Sequence, residues 1–251
     1  MDTVKSVRIF CGYDEREAIG FHVFCDSVLR HASIPVEIIP VNHRLAQATD
    51  RGDSSTQFNY ARFLVPYLSG FVGHSIWMDG ADMLAVGDVA QLWDLRDFSY
   101  AVKVVKHDYT PRQAVKFFDQ PNRAYPRKNW SSVMLFWNDH YACRGLQPHI
   151  VAQHTGEFLH RLEWVKDKLI GELPREWNVL AGEDNQSDAP KLIHYTNGIP
   201  AVPGFSGTEY AAQWWHAYNL AQEPLGAMQA RIEDPQPVKR GRGRPRKVVA
   251  A

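Results

Sequence analysis

The stretch from His74 to Trp93 constrains this chain more than any other. Ser75 to Met78 (Ser-Ile-Trp-Met) reads as a short buried strand, and it delivers two carboxylates, Asp79 and Asp82, where it stops. In open α/β sheets, ligands bind at the carboxyl ends of strands. Two acids held there by a Gly80-Ala81 spacer suit a hard divalent cation, because Mn²⁺ and Mg²⁺ prefer carboxylate, carbonyl, water and phosphate oxygens. The same residues also satisfy a polar turn, in which Asp and Gly are ordinary. On this window alone both readings stand.

The N-terminal part fits a doubly wound arrangement. Val7 to Cys11 reads as a buried strand, Gly12-Tyr13-Asp14 as the turn at its end, and Val36 to Pro40 as a second strand. Between them Asp14 and Glu17 make a capping-box-like helix start. Ala18, Phe21, Cys25, Val28 and Leu29 fall near one face of that helix. The chain therefore opens β-α-β. Residues 44 to 55 are polar and rich in turn formers, hence a loop. Thr56 to Leu68 carries a helical pattern that Pro66 kinks or ends. Tyr100 to Val105 is β-rich and stops at Lys106-His107-Asp108, again polar residues at a strand end. Residues 109 to 128 form a long connection with Arg112, Lys116, Arg123, Arg127 and Lys128, and connections of this length in compact domains are often functional. Asn129 to Asn138 reads as the next strand, 147 to 170 carries helical pattern, and Lys191 to Pro200 contains a last strand ending at His194.

Composition narrows the setting. A chain of 251 residues with 45% hydrophobic content suits one sizeable α/β domain with a full core. Three cysteines lack metal-ligand spacing, and their odd number argues against a disulfide framework. No apolar run approaches a membrane span, and Met1 leads almost directly into a strand. A reducing, cytoplasmic setting is the expectation. The net charge is formally zero, yet residues 239 to 247 (Lys-Arg-Gly-Arg-Gly-Arg-Pro-Arg-Lys) carry six positive charges and no acid. The body is therefore acidic and the tail basic, which points to separate jobs.

Several segments, in order, resemble the GT-A nucleotide-sugar glycosyltransferases, especially the glycogenin/galactosyltransferase-like family 8 group. The acidic stretch is similar to that family's Asp-x-Asp motif with one extra residue, Asp79-Gly80-Ala81-Asp82, which leaves open which acid plays which role. Asn59, Tyr60 and Arg62 stand where the family has a helix with Tyr-x-Arg-Leu. Lys191-Leu-Ile-His-Tyr-Thr-Asn-Gly198 resembles the strand whose His completes the metal site. The resemblance covers residues 7 to 205. It implies a Rossmann-like mixed α/β sheet flanked by helices, a single domain over residues 1–221.

It also implies roles. Asp79, Asp82 and His194 would bind Mn²⁺ or Mg²⁺. Gly12, Tyr13, Asp14, Arg62, Asp79, Gly80 and His107 would contact the nucleotide sugar, with a uridine diphosphate carrier expected; Asp14 is equally well explained as a helix cap. Arg62, Asp79 and Ser132 are the catalytic candidates, although Asp79 could instead be the structural partner of Arg62. The expected activity is transfer of a sugar with retention of configuration. Departures exist. The family's Asp-Gln pair is absent, and His160 and Arg161 stand in its place. The diphosphate-holding Lys after the final strand is absent too, so another cation must serve or the site is weaker. A non-catalytic, degenerate domain is the rival reading.

Residues 222 to 251 read as a disordered tail. Within it, 241 to 247 resembles an AT-hook. Pro245 stiffens an extended strand, and Arg242, Arg244 and Arg246 suit the narrow minor groove of A·T-rich DNA. A solvated basic tail with salt-dependent polyanion binding is the plainer alternative.

Overall fold

A computed structural model describes residues 6–41, 58–116, 120–183, 187 and 189–233. The loop expected at 44 to 55 and the AT-hook-like residues 241–247 lie outside these.

The first strand, β1 (Val7–Gly12), is followed by helix α1 (Ala18–His31) and strand β2 (Val36–Val41), which lies parallel to β1. Strand β3 (His74–Met78) joins β1 on its other side, also parallel. After the acidic turn come β4 (Met83–Ala85) and β5 (Val102–Val104). The long connection folds into a small hairpin, β6 (Val115–Lys116) with β7 (Gln120–Pro121). Strand β8 (Val133–Trp137) runs antiparallel between β3 and β5, and β9 (Ile170–Glu172) closes that edge. The main sheet has the order β2-β1-β3-β8-β5-β9. A second sheet of three strands has β11 (Leu192–His194) between β10 (Val179–Leu180) and β4.

Helices are short except at the ends. They are α2 (Val65–Leu68), α3 (Val89–Trp93), α4 (Pro148–Gln153), α5 (Gly156–His160) and α6 (Ala211–Glu233). One core packs Phe63, Trp77, Met134 and Phe136 on one face of the main sheet. The other packs Phe24, Val28, Ile76 and Met78. Strand β3 supplies both, with Trp77 on one side and Ile76 and Met78 with the other set, and so it needs no polar face. No helix among the described residues is long and apolar enough to cross a membrane.

Several elements differ from the sequence pattern. The inward stripe of α1 is Gly20, Val23, Phe24, Ser27 and Val28, while Leu29 is exposed. Asp14 caps a 3-10 turn at Glu15–Glu17 by accepting from the Arg16 amide, and α1 itself begins without a side-chain cap. The segment expected as one helix from Thr56 is a 3-10 turn, Ala61–Leu64, running into α2; Pro66 sits in its first turn, where a missing N–H costs nothing, rather than breaking it. Trp130–Ser132 form a 3-10 turn after a left-handed Asn129, so β8 starts only at Val133. Helix α6 continues past residue 221, where the domain was expected to end, to Glu233. All three cysteines are free thiols.

Gly20 matters to the site because α1 lies against the acidic turn. A Cβ added at Gly20 would stand 2.0 Å from the Ala81 carbonyl oxygen. Gly20→Ala is expected to push that turn outward and cost about 1–3 kcal/mol, as overpacking does. A melting temperature equal to that of the parent protein would show that α1 does not brace the turn.

Candidate active site

Asp79 follows β3 directly, its amide donating to the Ser132 carbonyl at 3.1 Å. Its carboxylate accepts from Trp77 Nε1 at 2.9 Å and pairs with Arg62 Nη1 at 2.7 Å. Arg62 also donates to the carbonyls of Asn59 and Ser131, at 2.8 and 3.1 Å. This answers how an Arg can sit among apolar residues: Nε and Nη1 meet acceptors, and the guanidinium carbon lies 5.9 and 5.5 Å from the ring centres of Phe58 and Trp77. Both partners are buried, so removing either strands a charge, at about 3–5 kcal/mol.

Gly80 turns the chain with φ of 80°, a left-handed conformation that glycine adopts freely. The amides of Ala81 and Met83 return to the carbonyls of Asp79 and Gly80, so the turn is tight. Asp82 then meets β11, because β4 pairs antiparallel with β11 and sets His194 opposite Met83. His194 Nε2 lies 3.1 Å from Asp82 Oδ2.

The tautomer of His194 follows from its other side. Asn178 donates through Nδ2 to the Asn129 carbonyl at 3.2 Å, so its Oδ1 faces His194 Nδ1, at 3.0 Å, as an acceptor. Nδ1 therefore carries the proton. Nε2 is then the ring atom that faces Asp82, where either its own proton or a metal ion can sit between the two. Asp82 Oδ1 is buried with no hydrogen-bond partner among the described residues. Donor atoms of Asp79, Asp82 and His194 all lie within 4.8 Å of one another. The oxygen-rich, single-imidazole donor set fits Mn²⁺ well and Mg²⁺ less naturally.

The electrostatics separate the two acids. Burial, with Asp82 alongside, pushes the Asp79 carboxyl up from its ordinary value against the pull of Arg62 and Trp77. Burial works to raise Asp82 as well, but the charge and hydrogen bond of His194, with Lys116 and Arg62 behind, leave it lowered. Lys116, from the β6–β7 hairpin, lines the same small cavity of about 80 Å³ as both acids, Arg62, Ser131, Ser132, His160 and His194. Burial lowers its ammonium pKa, and Asp82 and Asp79 oppose that. Lys116 therefore sets a cation in the cavity that holds both acids.

Other expected residues lie apart. Gly12, Tyr13 and Asp14 do not line this cavity. Phe58 packs onto Gly12 so closely that a Cβ there would stand 2.4 Å from its ring. Asp14 is fully buried and paired with Arg16. His107 lies behind the site; burial first, then His194 and Arg175, lower its pKa to about 3. Its carbonyl accepts from Trp130 Nε1 at 2.7 Å. His160 is brought in: Nδ1 meets Ser131 Oγ at 2.8 Å, and burial, then Arg62, Lys116 and Lys128, keep the ring neutral. Lys116 was one of five cations read in the long connection, and Asn178 ends a Leu-Pro-Arg-Glu-Trp-Asn segment similar to the one before the family's last core strand, but neither pattern foretold its contact with the acids or with His194. A hollow of about 680 Å³ lies by Arg8, His74 and Arg96 at the opposite ends of the strands, away from the acids.

The mixed sheet flanked by helices is the GT-A glycosyltransferase fold. The apo WbbM bifunctional glycosyltransferase superposes with a TM-score of 0.62 at 17% identity, over 87% of this chain and 50% of that one, so this chain spans about half of WbbM. The glycosyltransferase GlyE of Streptococcus pneumoniae gives 0.55 at 13% identity, over 90% of this chain and 64% of that one. An active-site mutant of LgtC gives 0.53 at 14% identity, over 85% and 95%. LgtC has also been solved as a galactosyltransferase with donor and acceptor sugar analogues. At such identities the likeness is one of fold. No protein-family model matches the chain. Its sequence is 39% identical over 221 residues to Protein CDI of Arabidopsis thaliana, covering 84% of this chain and 85% of that protein. The chain belongs to the Protein CDI family.

Two measurements test this geometry. Asn178→Leu frees the His194 ring, and Mn²⁺ affinity by titration calorimetry is expected to fall about 10–100-fold; unchanged affinity would remove Asn178 from the site. Glu17, buried beside the turn, has its pKa raised to about 8 by burial, then by Asp82 and Asp14. Below pH 4.5 it is protonated folded and unfolded alike. As pH rises towards 8 only the unfolded chain ionises it, so stability falls by up to about 1.4 kcal/mol per pH unit. In EDTA, Glu17→Gln should melt higher than the parent protein by a margin that grows across that window. A constant margin would place no raised acid there.

Proposed function

We propose that this protein is a metal-dependent glycosyltransferase that moves a sugar from a nucleoside-diphosphate sugar, a uridine diphosphate sugar in the first instance, to an acceptor hydroxyl. The observation that carries the reading is the convergence of Asp79, Asp82 and His194 at the carboxyl end of β3, beside buried Arg62. The fold shared with WbbM, GlyE and LgtC supports it, as do donor and acceptor sugar analogues bound to LgtC.

Asp79, Asp82 and His194 would hold Mn²⁺ (or Mg²⁺), which supplies Lewis-acid charge stabilisation and a template for the diphosphate. Arg62 keeps Asp79 oriented and adds positive charge close to the reacting centre. Lys116 neutralises the departing diphosphate in place of the missing lysine. The bond from the anomeric carbon to the diphosphate oxygen breaks with both electrons leaving on the diphosphate. The acceptor oxygen forms the new bond, and its proton passes to the diphosphate. Ser132 and His160 wall the sugar, and the neutral ring of His160 offers a hydrogen bond without adding charge. Retention of configuration is the stereochemistry of this reading. Gly12, Tyr13, Asp14 and His107 would act only from outside the acid cavity. A tether to A·T-rich DNA through 241–247 draws support from the tail sequence alone.

Nucleotide sugars should raise the melting temperature only with Mn²⁺, and release of the nucleoside diphosphate should follow. Asp82→Asn and His194→Ala should remove both effects. Lys116→Met should raise the donor KM. If no nucleotide sugar shifts the melting temperature and none is turned over, the catalytic reading fails and a degenerate domain replaces it.

A further inference from the structure

Beside the acid cavity opens a second recess of about 410 Å³, and the two share Asn59, Lys116, Tyr125 and His160. Its walls are strongly one-signed. Arg123, Lys128, Arg161 and the shared Lys116 line it, against one carboxylate, Glu157. Glu157 is exposed and meets Arg161 only at 3.3 Å, while Arg161 Nε is buried with no hydrogen-bond partner among the described residues.

Lys128 is the most informative of these cations. It is only 8% exposed. Its ammonium donates to the Arg123 carbonyl at 3.0 Å and lies 4.8 Å from the Tyr125 ring centre. Among the described residues no carboxylate stands within ion-pair distance of it. Burial and then Lys116 lower its pKa to about 8 against a weaker pull from Glu183, and the two ammonium groups repel each other across the recess. A buried ammonium with no carboxylate at ion-pair distance among the described residues is an unfavourable arrangement for folding alone. It becomes favourable once an anion enters. The Tyr125 ring, Pro121 and Pro126 add apolar surface of the kind that accompanies a ring-shaped ligand.

We propose that this recess receives an anionic group of the acceptor, a phosphate or carboxylate carried on a sugar, held by Lys128 with Arg123 and Arg161 at the rim. The word acceptor rests on the glycosyltransferase reading; the anion site itself rests on the recess. Both oxyanions would take charge-assisted hydrogen bonds from these donors. Such an acceptor would bring its hydroxyl towards the shared wall at His160 and Lys116.

The test is calorimetric titration of the full chain, saturated with Mn²⁺ and uridine diphosphate, with glucose 6-phosphate, glucuronate and glucose. At least one charged sugar should bind about tenfold or more tightly than glucose, the worth of a charge-assisted contact. A stronger glucose 6-phosphate assigns phosphate, and a stronger glucuronate assigns carboxylate. Lys128→Met and Arg123→Met should each shrink the preference. Arg123 is exposed, so its variant keeps the test valid if the buried substitution unfolds the protein. Equal binding of all three sugars, or a preference that survives both substitutions, overturns the proposal. If uridine diphosphate does not bind, the donor reading fails, and the same titrations without it still decide on the anion site.

Discussion

Two carboxylates held side by side in a buried pocket are the constraint on which the rest of this structure depends. Asp79 and Asp82 repel each other, and burial removes the water that would screen them. The surrounding elements all respond to that charge. The 3-10 turn before α2 brings Arg62 onto Asp79. Strand β11 brings His194 onto Asp82, and the β6–β7 hairpin brings Lys116 to the same cavity. One oxygen, Asp82 Oδ1, has no hydrogen-bond partner among the described residues, and that is the polar atom a bound cation would use.

The order within the site comes from strands rather than loops. Asp79 is the residue after β3, and Asp82 the residue before β4. His194 is fixed opposite Met83 by a ladder, and Asn178, just before β10, fixes which ring nitrogen carries the proton. This rigidity suits a site that must hold ligand atoms to within fractions of an ångström. The neighbouring recess is built differently. Its cations come from the long connection and from the residue after α5, and they outnumber the one carboxylate, Glu157, that its described lining contains. Negative charge is concentrated in one cavity and positive charge in the next, with Lys116 and His160 at the boundary.

Much of the frame was legible locally. The β-α-β opening, the strand ending at Met78 and the strand ending at His194 follow from apolar runs punctuated by Gly and Asp, signals that span only a few residues. What failed did so for physical reasons. Leu29 fits the apolar periodicity of α1 yet is exposed, and Gly20 and Ser27 lie inward because the acidic turn and β4 approach there. Ser131 and Ser132 looked like strand residues, yet Asn129 in a left-handed conformation forces a 3-10 turn. Arg62 read as a helix residue in need of a partner, and Asp79 pairs with it.

By itself the sequence determined which residue types were present to form a site: acids at the end of a buried strand, an imidazole at the end of another, and a basic segment set apart from an acidic body. Short-range apolar patterning encodes such facts, because a strand end is a local property. Only the tertiary structure decided that Asp82 and His194 meet, that Asn178 sets the ring's tautomer, and that Lys116 stands between two cavities while Lys128 lines only the second. Those outcomes depend on the antiparallel register of β4 with β11 and on where a long connection folds back. Contacts between residues far apart in the chain are settled by packing, which no short window of sequence contains.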